Sequence, residues 1–287
     1  MSLAGIDFSS LSSTELAQLF RQVLESGIHG ISYSPYLDGQ SPGTEISETQ
    51  IRERMEIIKP YVSWVRSFSC IEGHQETPRI AHENGLNVMV GVGLGEDLEK
   101  NEVELANGIA LAKAGHADIL AIGNEVLLRG DLTEDQLLDY IKRAKAAVPE
   151  VDVSYVDAYF EFVDHPRITE ACDVILANCY PFWEDCHADY SLLYIKEMYR
   201  RAVQAANGKK VIISETGWPN IGTAVGACEP SDENAMRYFI NTCLWAEEEG
   251  IEIFYFSSFD ESWKVGDEGD VGAYWGLWDK NGELKYV

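Results

Sequence analysis

Positive charge is scarce in this 287-residue sequence: 22 Lys and Arg stand against 48 Asp and Glu, a formal net charge of −26. Such a chain repels a phosphate backbone and an anionic lipid surface, which argues against nucleic acid, membrane surfaces and polyanionic substrates as partners. Neutral or cationic ligands fit better. No apolar run reaches the roughly 18 residues of a spanning helix, so no membrane insertion is expected. The six cysteines (Cys70, Cys172, Cys179, Cys186, Cys228, Cys243) include no C-x-x-C pair. In a chain this long they need not form a disulfide framework, and free buried thiols are the simpler reading. There is no Asn-x-Ser/Thr sequon. The start, Met1-Ser2-Leu3-Ala4, has no basic segment followed by an apolar one. As written the chain reads as cytoplasmic, and as periplasmic or secreted if a leader has been trimmed, so the compartment stays open. Oligomeric state is not legible either.

Chemistry-bearing motifs are missing too. No G-x-S-x-G elbow exists, so a Ser-His-Asp hydrolase is unsupported. His82-Glu83-Asn84-Gly85-Leu86 lacks the second histidine of a zinc helix, and the six histidines are scattered, so neither metal nor cofactor is expected. Gly91-Val92-Gly93-Leu94-Gly95 has the wrong spacing for a phosphate loop, and Glu96-Asp97 would repel phosphate. With no Pro/Gly/Ser-rich linker, no low-complexity stretch and no repeat of fixed period, residues 1–287 read as one domain.

What is present is an alternation of short β-branched or aromatic runs with longer segments of helical period. Strand candidates are Gly30–Tyr36, Val62–Cys70, Asn87–Gly93, Asp118–Val126, Asp152–Tyr159, Val174–Tyr180, Lys210–Glu215 and Ile251–Phe259. Several are continuously apolar, as parallel strands buried on both faces must be. Met236, Phe239 and Cys243 recur at helical spacing, as do Leu137, Leu138, Ile141, Ala144 and Val148, with Ser231 and Thr133 as N-cap signals. An amphipathic helix at about residues 12–26 precedes the first strand and is expected to plug or skirt the barrel bottom. Eight such units predict a (β/α)8 TIM barrel rather than an open doubly wound sheet.

In that fold the residues closing each strand carry the chemistry. Strand four closes on Asn124-Glu125 and strand seven on Ser214-Glu215, which places two carboxylates on opposite sides of one mouth. Two facing carboxylates suit glycoside hydrolysis, one protonated to assist the leaving oxygen and one ionised to attack the anomeric carbon. The alternative is a pair of solvated or loop-pairing glutamates. Asn124 is placed to donate to a sugar 2-hydroxyl. Five of seven tryptophans (Trp183, Trp218, Trp263, Trp275, Trp278) fall at or beyond the ends of strands six to eight, as stacking faces for pyranose rings or as caps on the core.

These residues resemble glycoside hydrolase family 17, the β-1,3-glucanase family. The resemblance rests on Gly123-Asn124-Glu125 and, more specifically, on Ile213-Ser214-Glu215-Thr216-Gly217-Trp218-Pro219. It extends to Gly30-Ile31-Ser32-Tyr33, Val65-Arg66-Ser67-Phe68-Ser69-Cys70, Asn178-Cys179-Tyr180-Pro181 and Phe259-Asp260-Glu261-Ser262-Trp263-Lys264. It implies a retaining mechanism on a β-glucan oligo- or polysaccharide, with Glu125 as acid/base and Glu215 as nucleophile. It further implies that Tyr33, Arg66, Asn124, Tyr180, Glu261 and Lys264 line the subsites, to which the tryptophan pattern adds Trp183 and Trp218. Arg66 and Tyr180 are expected to hold Glu215 ionised, and Lys264 to pair with Glu261.

Two features depart from the family pattern. Ser34 follows Tyr33 where many members have glycine, a change expected to affect loop geometry more than chemistry. Only about ten residues separate Tyr180 from the next helical pattern near Asp189, so one wall of a long endo-acting groove is short, leaving exo-action or transglycosylation open. A transglycosylase would use the same residues. A non-catalytic carbohydrate-binding barrel, and a glycosidase of β-1,4-glucan or β-mannan, are the remaining alternatives.

Overall fold

A computed structural model of the protein describes residues 5–266 and 268–286; the Met1–Ala4 start weighed above for a leader lies outside them. The strands are Ile28–Ser32 (β1), Val62–Arg66 (β2), Asn87–Val92 (β3), Ile119–Asn124 (β4), Asp152–Ala158 (β5), Ile175–Asn178 (β6), Val211–Thr216 (β7) and Ile253–Tyr255 (β8). They pair in sequence order, all parallel, and β8 returns to β1. The result is a closed (β/α)8 barrel. Helix Ser13–Glu25 (α1) precedes β1. Glu48–Ile58 (α2), Thr77–Glu83 (α3), Leu98–Lys113 (α4) and Glu134–Ala147 (α5) follow the first four strands in turn. Glu161–Asp164 (α6) and Pro166–Ala171 (α7) follow β5, Ser191–Ala205 (α8) follows β6, and Asp232–Glu249 (α9) follows β7.

The strands are apolar on both faces because each face meets a different layer. Met89, Ile119, Ala121, Val156, Val174, Leu176, Ile212 and Phe254 fill the lumen, while the outward-facing residues join the helices in a second, larger cluster. Trp64, His29 and Phe254 close the floor, the His29 and Trp64 rings stacking at 5.6 Å. The N-terminal helix does not plug that floor: Phe20 packs 4.9 Å from Phe239, so α1 lies along α9 on the outer wall. Helix starts follow the capping signals. Thr133 and Gln136 form a capping box on α5, and Ser231 accepts from Asn234 N at the start of α9.

At the carboxyl ends the ladder breaks. Register shifts fall between Ala121 and Asn124 on β4, Ala177 and Asn178 at the β6–β7 pairing, and Ile213 and Thr216 on β7. Such bulges re-aim side chains, and here they occur where Asn124, Asn178 and Glu215 leave the sheet. Gly217 is required by close approach, since a Cβ there would lie 2.1 Å from the carbonyl oxygen of Phe256. Among the described residues no helix is long and apolar enough to cross a membrane.

Candidate active site

Glu125 is the first residue beyond β4, and its φ of 54° lies in the left-handed region that non-glycine residues seldom adopt. Its N–H donates to Val156 O at 2.9 Å and its C=O accepts from Arg129 N at 2.9 Å, which holds the backbone in that conformation. Asn178 Nδ2 donates to Glu125 Oε1 at 2.8 Å. Burial, and next the charge of Glu215, push the Glu125 carboxyl above the usual carboxylate range.

Glu215 lies within β7 and is buried. One carboxylate oxygen accepts from Arg66 Nη1 and the other from the Tyr180 hydroxyl at 2.6 Å. A buried ion pair is stable only with further hydrogen bonds around it. Arg66 supplies them, donating also to Ser214 O at 3.1 Å and to Asn124 Oδ1 at 2.9 Å, while its guanidinium lies 4.4 Å from the Phe68 ring centre. Asn178 closes the network by accepting from the Ser214 hydroxyl at 2.8 Å. The two glutamates therefore sit in different environments, Glu215 with an arginine on one oxygen and a tyrosine hydroxyl on the other, and Glu125 held by a single amide.

Across the mouth, Lys264 Nζ pairs with Glu261 Oε2 at 2.9 Å. Burial lowers the Lys264 ammonium, but Glu261 and then Glu268 outweigh it and the net direction is upward. Ser34, expected to matter for loop geometry, donates its hydroxyl to Glu261 Oε1 at 2.5 Å and so belongs to the polar network of the site.

Two cavities open here. The first, about 450 Å³, is walled by Leu128, Tyr159, Phe160, Tyr180, Trp183, Glu184 and Trp275. The second, about 490 Å³, is lined by Ser34, Tyr36, Phe68, Asn124, Arg129, Glu261, Trp263 and Lys264, among others. Both lie within the range typical of small-ligand sites. Glu125, Glu215, Phe256 and Glu268 line both, so the carboxylate pair is the shared floor of a two-armed groove.

Of the residues singled out from sequence, Glu125, Glu215, Asn124, Tyr180, Glu261, Lys264 and Trp183 line one or both cavities, Trp183 with 40% of its surface exposed. Arg66 lies behind them and acts through Glu215 and Asn124. One placement needs correction. Trp218 is 1% exposed, packs on Phe182 and Tyr238, and donates its indole N–H to Glu229 O, so it braces the wall from behind and lines neither cavity. Tyr33 lines the second cavity as expected, with its hydroxyl donating to Ile51 O at 2.8 Å. Glu268 and Phe256 were missed. Glu268 belongs to no motif, and Phe256 reads in sequence as one more core aromatic. Among the described residues no group of three or more His, Cys, Asp and Glu side chains could hold a metal.

A sequence profile of the BtgE/BtgC glycoside hydrolase domain matches residues 30–276. The chain belongs to this family. Its curated relatives include a glucan 1,3-beta-glucosidase of Saccharomyces cerevisiae, 27% identical over 274 residues that cover 87% of this chain and 86% of that one. A glucan 1,3-beta-glucosidase of Candida albicans is 28% identical over 260 residues, 82% of each chain. Among solved structures, the family 17 beta-1,3-glucanosyltransferase of Rhizomucor miehei superposes with a TM-score of 0.81 at 26% identity, covering 91% of this chain and 96% of that one. An active-site mutant of that enzyme in complex with laminaritriose gives 0.80 at 25%, with the same coverage. The family 17 assignment drawn from the glutamate motifs holds, and the protein is a glycosidase.

Proposed function

We propose that this glycosidase acts on β-1,3-glucan with retention of configuration, Glu215 serving as nucleophile and Glu125 as acid and then base. The observation that carries the reading is the shared floor: a glucan chain laid through both cavities brings one linkage over Glu125 and Glu215. In the first step Glu125 gives its proton to the departing oxygen as a Glu215 oxygen bonds to the anomeric carbon, forming a glycosyl ester. In the second, ionised Glu125 takes a proton from water, whose oxygen attacks that carbon and releases Glu215. Arg66 and Tyr180 orient the nucleophile. Because Asn124 Oδ1 is committed to Arg66, its NH2 group is the one turned to the sugar 2-hydroxyl. Lys264, held by Glu261, offers its ammonium to hydroxyls in the second cavity, and Trp183 offers a stacking face in the first. The names of the relatives and the laminaritriose bound to a neighbour support β-1,3 linkage over β-1,4-glucan or β-mannan.

Transfer to a sugar acceptor is the second reading, favoured by the first cavity. Its walls of Leu128, Tyr159, Phe160, Trp183 and Trp275 suit a pyranose ring better than free water. Size analysis of products from laminari-oligosaccharides tests both. Shorter products alone identify a hydrolase, and products longer than the substrate identify transfer. No turnover of any β-1,3-linked oligosaccharide overturns the assignment.

A further inference from the structure

Behind Glu125, on the outer face of β5, sits a buried pair that the chemistry above does not use. Val156 points into the lumen, so alternation along the strand turns Tyr155 and Asp157 toward the helix layer, where both are fully buried. Asp157 Oδ1 accepts from Ala158 N at 2.7 Å, and Oδ2 accepts from the Tyr155 hydroxyl and from Leu128 N at 3.4 Å. Among the described residues none of these partners is a cation. Burial pushes the Asp157 carboxyl up to about 7, with the nearby charges of Glu125 and Glu161 adding to it. A carboxyl so placed is costly unless hydrogen-bonded, and three donors end on it.

What the pair holds is the turn that follows Glu125. The first N–H groups of such a turn have no partner within it. Leu127 N donates to the Tyr155 hydroxyl at 3.0 Å, and that hydroxyl passes its own proton bond to Asp157, which also receives Leu128 N. Together with the bonds from Glu125 N to Val156 O and from Arg129 N to Glu125 O, these tie down the left-handed residue from both sides. Neither Tyr155 nor Asp157 lines either cavity, so neither can touch substrate.

We propose that Tyr155 and Asp157 are positioning residues for Glu125, fixing the direction of its carboxyl through the Leu127 and Leu128 N–H groups and thereby its delivery of a proton to the leaving oxygen. The inference rests on the acid role given to Glu125 above. Its test uses two substrates that deliver the same laminaribiosyl group from leaving groups that differ in their need for that proton. Laminaritriose loses a sugar alkoxide and requires it; 2,4-dinitrophenyl β-laminaribioside loses a stable phenolate and does not. The kcat/KM value covers the steps through glycosyl-enzyme formation. Tyr155→Phe keeps the ring and deletes the hydroxyl, and Asp157→Asn keeps the volume and alters the acceptor. Each variant should lose about 10²-fold on laminaritriose and less than about 3-fold on the aryl glycoside, within the span of general-acid effects. The ratio of the two losses is independent of the folded fraction, so a destabilised variant still gives an answer. Equal losses on both substrates, or no loss on either, would overturn the inference. Glu125→Gln serves as the reference: if it lacks the same asymmetry, the acid role itself falls, which the wild-type ratio and the Glu125→Gln ratio reveal independently of Tyr155 and Asp157.

Discussion

Glu268 illustrates how much of the site a motif leaves out. It lines both cavities, and burial pushes its carboxyl up to about 7, with Glu215, Glu261 and Glu125 raising it further against the opposing pull of Lys264. Clustered carboxyls titrate as a set, so removing one negative neighbour lowers the pKa of the others. Glu268→Gln should therefore let Glu125 lose its proton at lower pH, moving the basic limb of the kcat/KM profile down by about half a unit, a modest charge-neighbour effect. A limb that stays in place or moves to higher pH contradicts this. Glu125 and Glu215 were legible in the sequence because each closes an apolar strand, where a carboxylate stands out. Trp218 was not, because a residue just past a strand end can turn to the mouth or to the helix layer, and no spacing distinguishes the two. Here it turned inward to Phe182 and Tyr238.

At the scale of elements, every strand lies where an apolar run predicts one, since both faces of a parallel barrel strand are covered. The ends differ. The runs Gly30–Tyr36, Val62–Cys70 and Ile251–Phe259 extend four residues past the last paired residues Ser32, Arg66 and Tyr255. The overrun mixes aromatics with serines, and its Tyr36, Phe68 and Phe256 line the groove. One of these segments leads to the strap that closes the chain: Asp260, just past β8, accepts from Lys285 Nζ at 2.9 Å, and Lys285 also donates to Asn220 Oδ1 at 2.7 Å. Burial pushes Asp260 up and Lys285 down, so desolvation offsets much of the attraction within the pair. Deleting one partner nevertheless leaves the other charge buried without its counter-ion, with only neutral hydrogen-bond partners. Lys285→Ala should destabilise by about 3 kcal/mol, lowering Tm by roughly 6 °C or more. Lys285→Met combined with Asp260→Asn should recover most of that loss in a thermal melt. A single variant that melts with the wild type would show that the strap carries no such charge pair in solution.

For the molecule as a whole, acidity and burial act in the same direction. Burial raises the carboxyls of Glu104, Glu125, Asp157 and Asp260, the Asp157 group to about 7. Between about pH 5 and pH 7 these groups hold more protons in the folded state than in the unfolded chain, so their contribution to stability falls as pH rises, against a smaller opposite contribution from His74, which burial lowers. Self-repulsion from a net charge of −26 grows along the same axis. Glu252, drawn down to about 2 by its hydrogen bond to His29 and by Lys210, works in the opposite sense, but its contribution is lost only as pH falls from about 4.5 toward that value. Tm should therefore be higher near about pH 5 than near about pH 8, by roughly 2–4 °C for each kcal/mol of linkage. A higher Tm at the alkaline end would contradict this balance. The central claim concerns one bond, the ester between Glu215 and the anomeric carbon of the glucan. Incubation with a 2-deoxy-2-fluoro-β-laminaribiosyl fluoride, which forms that ester but hydrolyses it slowly, followed by peptide mass spectrometry, tests it most directly. The adduct is expected on the peptide containing Glu215 and on that residue. An adduct on any other side chain, or substrate turnover that never passes through an adduct, would contradict the account.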